Sequence, residues 1–143
     1  MTRYVVDASV VIKWFIPEIY AEAAGFLQNS LYRLHAPAFF VLEVGNALCK
    51  KIRRQELIKK EGDTILEELA HLPVQKHPDQ RLFRPAYALA CQTHRSLYDC
   101  MYLALAETID GQMVTADRKF YKEIANGQHG RRVLWVGDLI RPS

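Results

Sequence analysis

The sequence predicts an α/β fold in which helices cover both faces of a parallel β-sheet. Short apolar runs that suit buried strands alternate with longer segments whose apolar residues recur every three or four positions. Strands that alternate with helices form βα units, and such units place their strands parallel. The 143 residues contain no repeat or linker, so we expect one domain spanning residues 1–143, large enough to bury a core.

The start of the chain predicts a βα unit and a further short helix. Residues 4–6 are apolar and mostly β-branched, which favours a strand. Asp7 and Ser9 can cap the helix that follows, which we place at residues 10–15, before a proline. Residues 21–29 predict a second, shorter helix.

The middle of the chain predicts a helical hairpin between two short strands. Residues 34–36 suit a brief strand, and Pro37 stands where the next helix would begin. That helix, at residues 38–54, has one apolar stripe and a basic last turn, which suits the negative end of the helix dipole. A second helix at residues 59–71 precedes a weak strand at residues 74–77.

The last part of the chain predicts three helices and two strands. A helix at residues 80–94 has aligned apolar residues. The next, at residues 98–109, is apolar almost all round, so we expect it to be buried on more than one side. A strand, a helix and a strand follow at residues 112–115, 117–125 and 133–135.

Composition excludes several classes of protein. The formal net charge is +3 and the pI about 8.8, which is compatible with binding a polyanion without proving it. The three cysteines lack metal-ligand spacing, and we expect buried free thiols at Cys49, Cys91 and Cys100. The five histidines are scattered, so a zinc site is not expected. Without a signal peptide or an apolar stretch long enough to span a bilayer, we expect a cytoplasmic protein without membrane contact.

Three acidic residues stand at the ends of strands or the starts of helices. Asp7 and Asp117 follow predicted strands, at the edge of the sheet where α/β proteins place their sites. Each has an alternative role as the N-cap of the next helix. Asp99 has one too, in a capping box with Ser96, but the apolar helix that it begins would draw it into the interior.

Glu43 is a fourth acidic residue of interest. It lies in the middle of a helix, where no cap is needed, and is the only charged residue between His35 and Lys50 if histidine is taken as neutral. The alternative is a solvated surface glutamate, with at most a weak ion pair to Lys50.

Four carboxylates at one edge of a sheet would repel one another unless they took up protons or bound a cation. Oxygen ligands with open coordination positions favour Mg²⁺ or Mn²⁺. A hard dication held by carboxylates beside a basic surface is suited to the hydrolysis of phosphodiester bonds.

Four short motifs contain these acids, in order along the chain. They are VVDASV at residues 5–10, EVGNAL at 43–48, YDCMYLALA at 98–106 and VTAD at 114–117. With these motifs the sequence resembles the PIN-domain family, and within it the VapC-type toxins of bacterial toxin–antitoxin pairs. Each motif is weak alone, but four in this order and spacing are specific. One departure is Cys100, where the family often has alanine.

The resemblance implies a three-layer α/β/α fold with about five short parallel strands. It also implies an Mg²⁺-dependent endoribonuclease, with Mn²⁺ as a substitute, that cleaves RNA, forms a homodimer and is inhibited by a small antitoxin protein. The metal ligands and catalytic acids would be Asp7, Glu43, Asp99 and Asp117. The supporting polar residues would be Ser9, Asn46 and Thr115.

Basic and aromatic residues near the motifs are candidates for RNA contacts. The basic candidates are Lys13, Lys50, Arg118 and Lys119, each of which has an alternative as part of a solvated helix face. Three aromatic residues either stack on bases or pack in the core or a dimer interface: Trp14, Tyr98 and Tyr102.

Two other functions remain open from the sequence. One is a PIN-like domain that binds RNA or protein without catalysis. The other is a phosphatase with an aspartyl nucleophile. That chemistry usually needs a second acid two residues after the first, and here Ser9 occupies that position.

Overall fold

The computed structural model describes residues 2–142 and contains a five-stranded parallel β-sheet, which confirms the predicted fold class. Met1 and Ser143, the ends of the expected domain, lie outside the described residues. The strands are β1 (Thr2–Val6), β2 (Tyr32–Pro37), β3 (Val74–His77), β4 (Gln112–Thr115) and β5 (Val133–Trp135). Their order across the sheet is β3-β2-β1-β4-β5, and each neighbouring pair runs parallel.

Helices connect the strands. They are α1 (Ala8–Val11), α2 (Ala21–Gly25), α3 (Phe40–Arg53), α4 (Lys59–Leu69), α5 (Asp79–Thr93), α6 (Leu97–Thr108) and α7 (Arg118–Ala125). Short 3₁₀ segments are Ile12–Trp14, Phe26–Gln28, Gly130–Arg132 and Val136–Asp138.

The order of the strands creates a crevice at the centre of the sheet. The chain builds outward from β1 through β2 to β3, and then returns to the other side of β1 to form β4 and β5. In open α/β sheets, ligands bind beyond the carboxyl ends of the strands where the order reverses. Asp7 directly follows β1 and Asp117 lies two residues beyond β4, so both stand at this point.

β1 and α6 form the centre of the core. Val5 and Val6 of β1 are fully buried, and the residues of α6 from 100 to 106 are all buried. α6 contacts β1, β2 and β4 of the sheet and also packs against α5, which confirms that this apolar helix is covered on more than one side. Asp99, which directly precedes the buried stretch, is thereby held at the edge of the core.

Two predicted boundaries are wrong. Pro37 does not begin a helix but ends β2, where its missing N–H costs little because the ladder stops there. α3 begins only at Phe40, and the side chain of Asp79 accepts a hydrogen bond from the Phe39 N–H (3.1 Å). The helix expected at residues 10–15 is instead a short α-helix from Ala8 that tightens into a 3₁₀ turn.

The expectation of three buried cysteines is also wrong. Cys100 is buried, but Cys49 and Cys91 are exposed. Successive helical residues point about 100° apart, so apolar neighbours in sequence do not fix the direction of a side chain. As expected, none of the described helices has both the length and the apolar character needed to cross a bilayer.

Candidate active site

One cavity at the carboxyl edge of the sheet contains all four predicted carboxylates. Its volume is about 280 Å³. The side chains and backbone that line it come from β1–α1, α3, α6 and the start of α7: Asp7, Ala8, Ser9, Glu43, Asn46, Ala47, Lys50, Asp99, Tyr102 and Asp117. Residues up to 110 positions apart along the chain are therefore neighbours here.

Asp7 is both an N-cap and a member of the cavity. Its carboxylate accepts hydrogen bonds from the Ser9 hydroxyl (2.5 Å) and the Val10 N–H (3.2 Å), which caps α1. Burial raises the pKa of Asp7 to about 6, and the nearby charge of Glu43 adds to this rise. Hydrogen bonds from Ser9, Thr115 and Val10 act in the opposite direction.

The Glu43 side chain accepts a hydrogen bond from Tyr102 of α6 and does not pair with Lys50. The Tyr102 hydroxyl donates a hydrogen bond to Glu43 Oε1 over 2.5 Å, across a sequence separation of 59 residues. Burial raises the pKa of Glu43, the Tyr102 bond lowers it, and the charge of Asp99 raises it further. The half-buried Glu43 therefore has a defined partner, which a solvated surface glutamate would lack.

Asp99 stands in the first turn of α6, which Ser96 caps by accepting a hydrogen bond from the Asp99 N–H (3.1 Å). The Asp99 carboxylate contacts Arg95 (Oδ2 to Nη2, 3.5 Å). Burial raises the pKa of Asp99, Ser96 and Arg95 lower it, and the charge of Asp117 raises it.

Asp117 is the most exposed of the four acids and caps α7. Its carboxylate accepts a hydrogen bond from the Phe120 N–H (3.0 Å). The fully buried Thr115 hydroxyl accepts from the Asp117 N–H (3.0 Å) and also contacts Asp7. Thr115 thus links the carboxylates that follow β1 and β4.

The other two predicted supporting residues also lie at the cavity. Besides its bond to Asp7, the Ser9 hydroxyl accepts a hydrogen bond from the Ala116 N–H (3.4 Å), which ties α1 to the end of β4. Asn46 lies one turn after Glu43 on α3 and is exposed.

Tyr102 is a member of the cavity that the sequence did not identify. The sequence leaves Tyr102 either to stack on bases or to pack in the core or a dimer interface, and the structure confirms core packing, with 2% of the residue exposed. Burial and the charges of Asp7 and Glu43 raise the pKa of its hydroxyl, so the hydroxyl stays a hydrogen-bond donor. The available signal was its position three residues after Asp99, on the same face of an apolar helix.

The carboxylates have the chemistry of a site for a hard cation. The pKa of three of them is raised in part by the charge of a neighbouring carboxylate: Glu43 raises that of Asp7, Asp99 that of Glu43, and Asp117 that of Asp99. Such repulsion disappears when a divalent cation binds, and oxygen donors are the ones that Mg²⁺ and Mn²⁺ prefer. Among residues 2–142, no three His, Cys, Asp or Glu side chains are already gathered around one point. The residues at this cavity that could hold such a cation are Asp7, Glu43, Asp99 and Asp117.

The basic candidates differ in how accessible they are. Lys50 lines the cavity and is exposed, and Lys119 is exposed at the start of α7. Arg118 is exposed too, with its guanidinium 4.6 Å from the centre of the Trp135 ring. Lys13, by contrast, has a side chain that is 9% exposed and paired with Glu18 (3.5 Å), so it is engaged within the protein.

Comparisons with known proteins show the family of this chain. Residues 4–125 match a family model described as PIN domain. Ribonuclease VapC3 of Pyrobaculum aerophilum is 34% identical over 119 residues, which cover 82% of this chain and 91% of that protein. Ribonuclease VapC3 of Mycobacterium tuberculosis H37Rv is 33% identical over 117 residues, covering 82% of this chain and 84% of that protein.

Solved structures show the same fold. A crystal structure from Pyrobaculum aerophilum has a TM-score of 0.66 at 24% identity, covering 96% of this chain and 86% of that one. A chain of a toxin–antitoxin complex from Klebsiella pneumoniae has a TM-score of 0.62 at 17% identity, covering 92% and 95%. Mycobacterium tuberculosis VapC20, described as a Sarcin-Ricin loop cleaving toxin, has a TM-score of 0.62 at 14% identity, covering 97% and 99%.

Proposed function

Because this chain belongs to the PIN domain family and is related over most of its length to VapC ribonucleases, we propose that it is a metal-dependent endoribonuclease, the toxin of a toxin–antitoxin pair. The observation that carries the proposal is the meeting of Asp7, Glu43, Asp99 and Asp117 in one cavity. A non-catalytic binding domain would have no need for four carboxylates around one cavity, three of which have a pKa raised by burial and by a neighbouring acid.

Mg²⁺, or Mn²⁺ in its place, would be held by these four acids and would activate water and stabilise the charge that develops on the scissile phosphate. The protein's own groups prepare the site. Ser9 and Thr115 orient Asp7, and Tyr102 orients Glu43. Asp99 and Asp117 are more accessible, so we assign to one of them the proton of the attacking water. The products would carry a 5′-phosphate and a 3′-hydroxyl.

The RNA backbone would be held by exposed cations around the cavity. Lys50 lines the cavity itself, and Arg118 and Lys119 follow Asp117 directly. Positive side chains at these positions would offset the repulsion between four acids and the phosphates. We leave Lys13 out of this set because Glu18 already engages it.

Two protein partners belong to the proposal. One is a small antitoxin, supported by the likeness to a chain of a toxin–antitoxin complex. The other is a second copy of this chain, supported by an exposed apolar surface beside the cavity. We call this surface the apolar patch; it is lined by Phe39, Phe83, Leu97, Tyr98 and Met101, of which Phe83 and Tyr98 are exposed.

Cleavage of RNA by the purified chain tests the proposed function. We expect cleavage with Mg²⁺ or Mn²⁺, none in excess chelator, and none by the Asp7→Asn variant, which keeps the shape of the side chain. Lys60→Gln is the control and should cleave normally, because Lys60 is exposed on α4 and does not line the cavity. Cleavage that persists in chelator, or full activity of Asp7→Asn, would refute the proposal, and RNA binding without cleavage would favour a non-catalytic domain.

A further inference from the structure

We propose that Arg118, whose guanidinium carbon lies over the Trp135 ring, forms a stacking site for one nucleobase of single-stranded RNA next to the scissile phosphate. The inference rests on the proposed ribonuclease function and gives one of its basic residues a different task. The planar guanidinium of Arg118 would stack on the face of a base. A contact with a phosphate, by contrast, would use only its positive charge.

The guanidinium of Arg118 is fixed on one side and open on the other. Its central carbon lies 4.6 Å from the centre of the Trp135 ring, within cation–π distance. Trp135 is 8% exposed, whereas Arg118 is exposed. Among residues 2–142, no ion pair or hydrogen bond engages the Arg118 side chain, so its outer face and its donors are free for a ligand.

The Trp135 ring beneath Arg118 is itself held in place from several directions. Tyr20 contacts it edge-on with ring centres 5.4 Å apart, and Tyr121 contacts it at 6.0 Å. At Gly137 an added Cβ would lie 2.6 Å from the indole nitrogen, so only glycine leaves room for the ring. Tyr20 has a left-handed backbone (φ 67°), which is uncommon for a bulky residue. The packing therefore over-determines the position of the indole.

The cation–π pair of Arg118 and Trp135 lies beside the carboxylates. Arg118 directly follows Asp117, and Trp135 is paired in register with Thr115 of the neighbouring strand. Asp117 lines the cavity of the four carboxylates, and the Thr115 hydroxyl accepts a hydrogen bond from the Asp117 N–H. A base on Arg118 would thus belong to a nucleotide adjacent to the phosphate that enters the cavity.

A planar guanidinium has the chemistry for this task and an ammonium does not. Proteins that bind single-stranded RNA stack bases on aromatic rings or on arginine planes. A guanidinium is weakly hydrated and can lie between two flat π-systems, whereas a lysine ammonium is a strongly hydrated point charge. Lys119, exposed and next in sequence, can take the neighbouring phosphate.

Comparing Arg118→Lys with Arg118→Ala separates the contribution of the planar guanidinium from that of the positive charge. Binding of a single-stranded RNA of about ten nucleotides would be measured by fluorescence anisotropy in chelator, so that RNA is not cut. We expect both variants to weaken binding about five- to tenfold, the scale of one lost base stack. Lys119→Ala, the matched control, should weaken binding less and flatten its salt dependence. The melting temperature of each variant checks that it is folded.

Abasic RNAs identify the base that is stacked. Removing one particular base should weaken wild-type binding as much as Arg118→Lys does, and the two changes together should cost no more than either alone. Wild-type affinity of Arg118→Lys, or additive losses at every abasic position, would overturn the inference. Cleavage of the same RNA by the wild type with Mn²⁺ is scored separately. If the wild type cleaves this RNA and Arg118→Lys binds it normally, only the stacking site is refuted. If the wild type neither binds nor cleaves the RNA, the proposed function is refuted.

Discussion

Tyr102 places Glu43 within the cavity, and its single hydroxyl can be removed without changing the ring. Tyr102→Phe leaves Glu43 partly buried without its 2.5 Å donor. A hydrogen bond to a charged group contributes about 1.5–3 kcal/mol, so we expect kcat for RNA cleavage to fall about tenfold with KM for RNA unchanged. The Mn²⁺ concentration needed for half-maximal cleavage should rise.

Tyr98→Phe is the matched control for this prediction. Tyr98 lies one turn earlier on α6, and its ring, like that of Tyr102, packs on Phe39. Its side chain is 63% exposed, so loss of the hydroxyl should leave kcat unchanged. Equal effects of the two substitutions would mean that the Tyr102–Glu43 bond does not position the carboxylate.

Asp7 makes the metal-free protein less stable as the pH rises. Its pKa in the folded protein is about 6, against an ordinary value of 3.8. The folded state therefore binds the proton more tightly than the unfolded chain, and the stability that this provides is complete below about pH 4 and lost above about pH 6. One pKa unit equals 1.36 kcal/mol, so the loss is on the order of 1–3 kcal/mol.

Asp7→Asn should remove this pH dependence. An asparagine oxygen can still accept the bonds from Ser9 and Val10 without a charge. In chelator, we expect the variant to have a higher melting temperature than the wild type near pH 8 and no advantage near pH 4. A variant that is less stable than the wild type at both pH values would contradict the conclusion that burial disfavours the charged form of Asp7.

Individual residues differ in how far the sequence could predict them. The meeting of Asp7, Asp99 and Asp117 at one cavity is predictable because each stands at the end of a strand or the start of a helix, where topology decides its place. The partner of Glu43 could not be found, since it lies 59 residues away. Nor could the pairing of Lys13 with Glu18, because it depends on how a turn of 3₁₀ helix directs the lysine.

At the scale of elements, Arg95 connects α6 to α7. Its guanidinium contacts Asp99 (3.5 Å) and Glu123 (3.2 Å) and lies 5.5 Å from the centre of the Phe120 ring. Arg95→Gln should therefore loosen the two helices that hold Asp99 and Asp117. We expect the melting temperature to fall by about 3–6 °C, which corresponds to roughly 1 kcal/mol for a domain of this size.

Arg141→Gln is the control for Arg95. Arg141 also has an acidic partner, Glu22 (3.4 Å), and an aromatic neighbour, Phe26 (5.3 Å), but its side chain is 75% exposed against 17% for Arg95. Exposed ion pairs contribute little to stability, so the melting temperature of Arg141→Gln should stay within about 1 °C of the wild-type value. Similar decreases in melting temperature for the two variants would show that the ion pairs of Arg95 stabilise the protein no more than an exposed ion pair does.

Elements with a strong pattern were predicted best. α6 was recognised as a buried helix because it is apolar on all sides, and α3 and α4 because their apolar stripes run over several turns. α1 was placed too late and without its 3₁₀ end, since four helical residues are too few to establish a period. Pro37 was assigned to a helix start because a proline suits that position as well as the end of a strand.

At the scale of the whole molecule, the apolar patch predicts a homodimer. Phe83 and Tyr98 are 50% and 63% exposed, and the cavity between them is lined almost entirely by apolar atoms. Exposed patches of this kind mark interaction sites. We expect light scattering coupled to gel filtration to give the mass of a dimer for the wild type, and of a monomer for Phe83→Arg.

Ile19→Arg is the control for the dimer. Ile19 is 73% exposed but does not belong to the apolar patch, so its substitution should leave the dimer intact. A monomeric wild type, or a Phe83→Arg variant that remains dimeric, would show that this patch does not join two copies. The patch would then be open to a different protein.

The overall architecture followed from the alternation of strands and helices, whereas the order of strands in the sheet did not. Alternation implies parallel strands covered on both faces. The order β3-β2-β1-β4-β5 depends on which way each connection turns after leaving the sheet. That order brings the ends of β1 and β4 together, and so decides whether Asp7 and Asp117 can share one cavity.

The most direct test of the four-carboxylate site is Mn²⁺ binding measured by electron paramagnetic resonance in the absence of RNA. The account predicts that the wild type binds Mn²⁺, that Mg²⁺ displaces it, and that Asp7→Asn and Asp99→Asn each abolish or strongly weaken binding, while Asp63→Asn on the exposed face of α4 does not. Mn²⁺ binding that is unchanged in both Asp7→Asn and Asp99→Asn would contradict it.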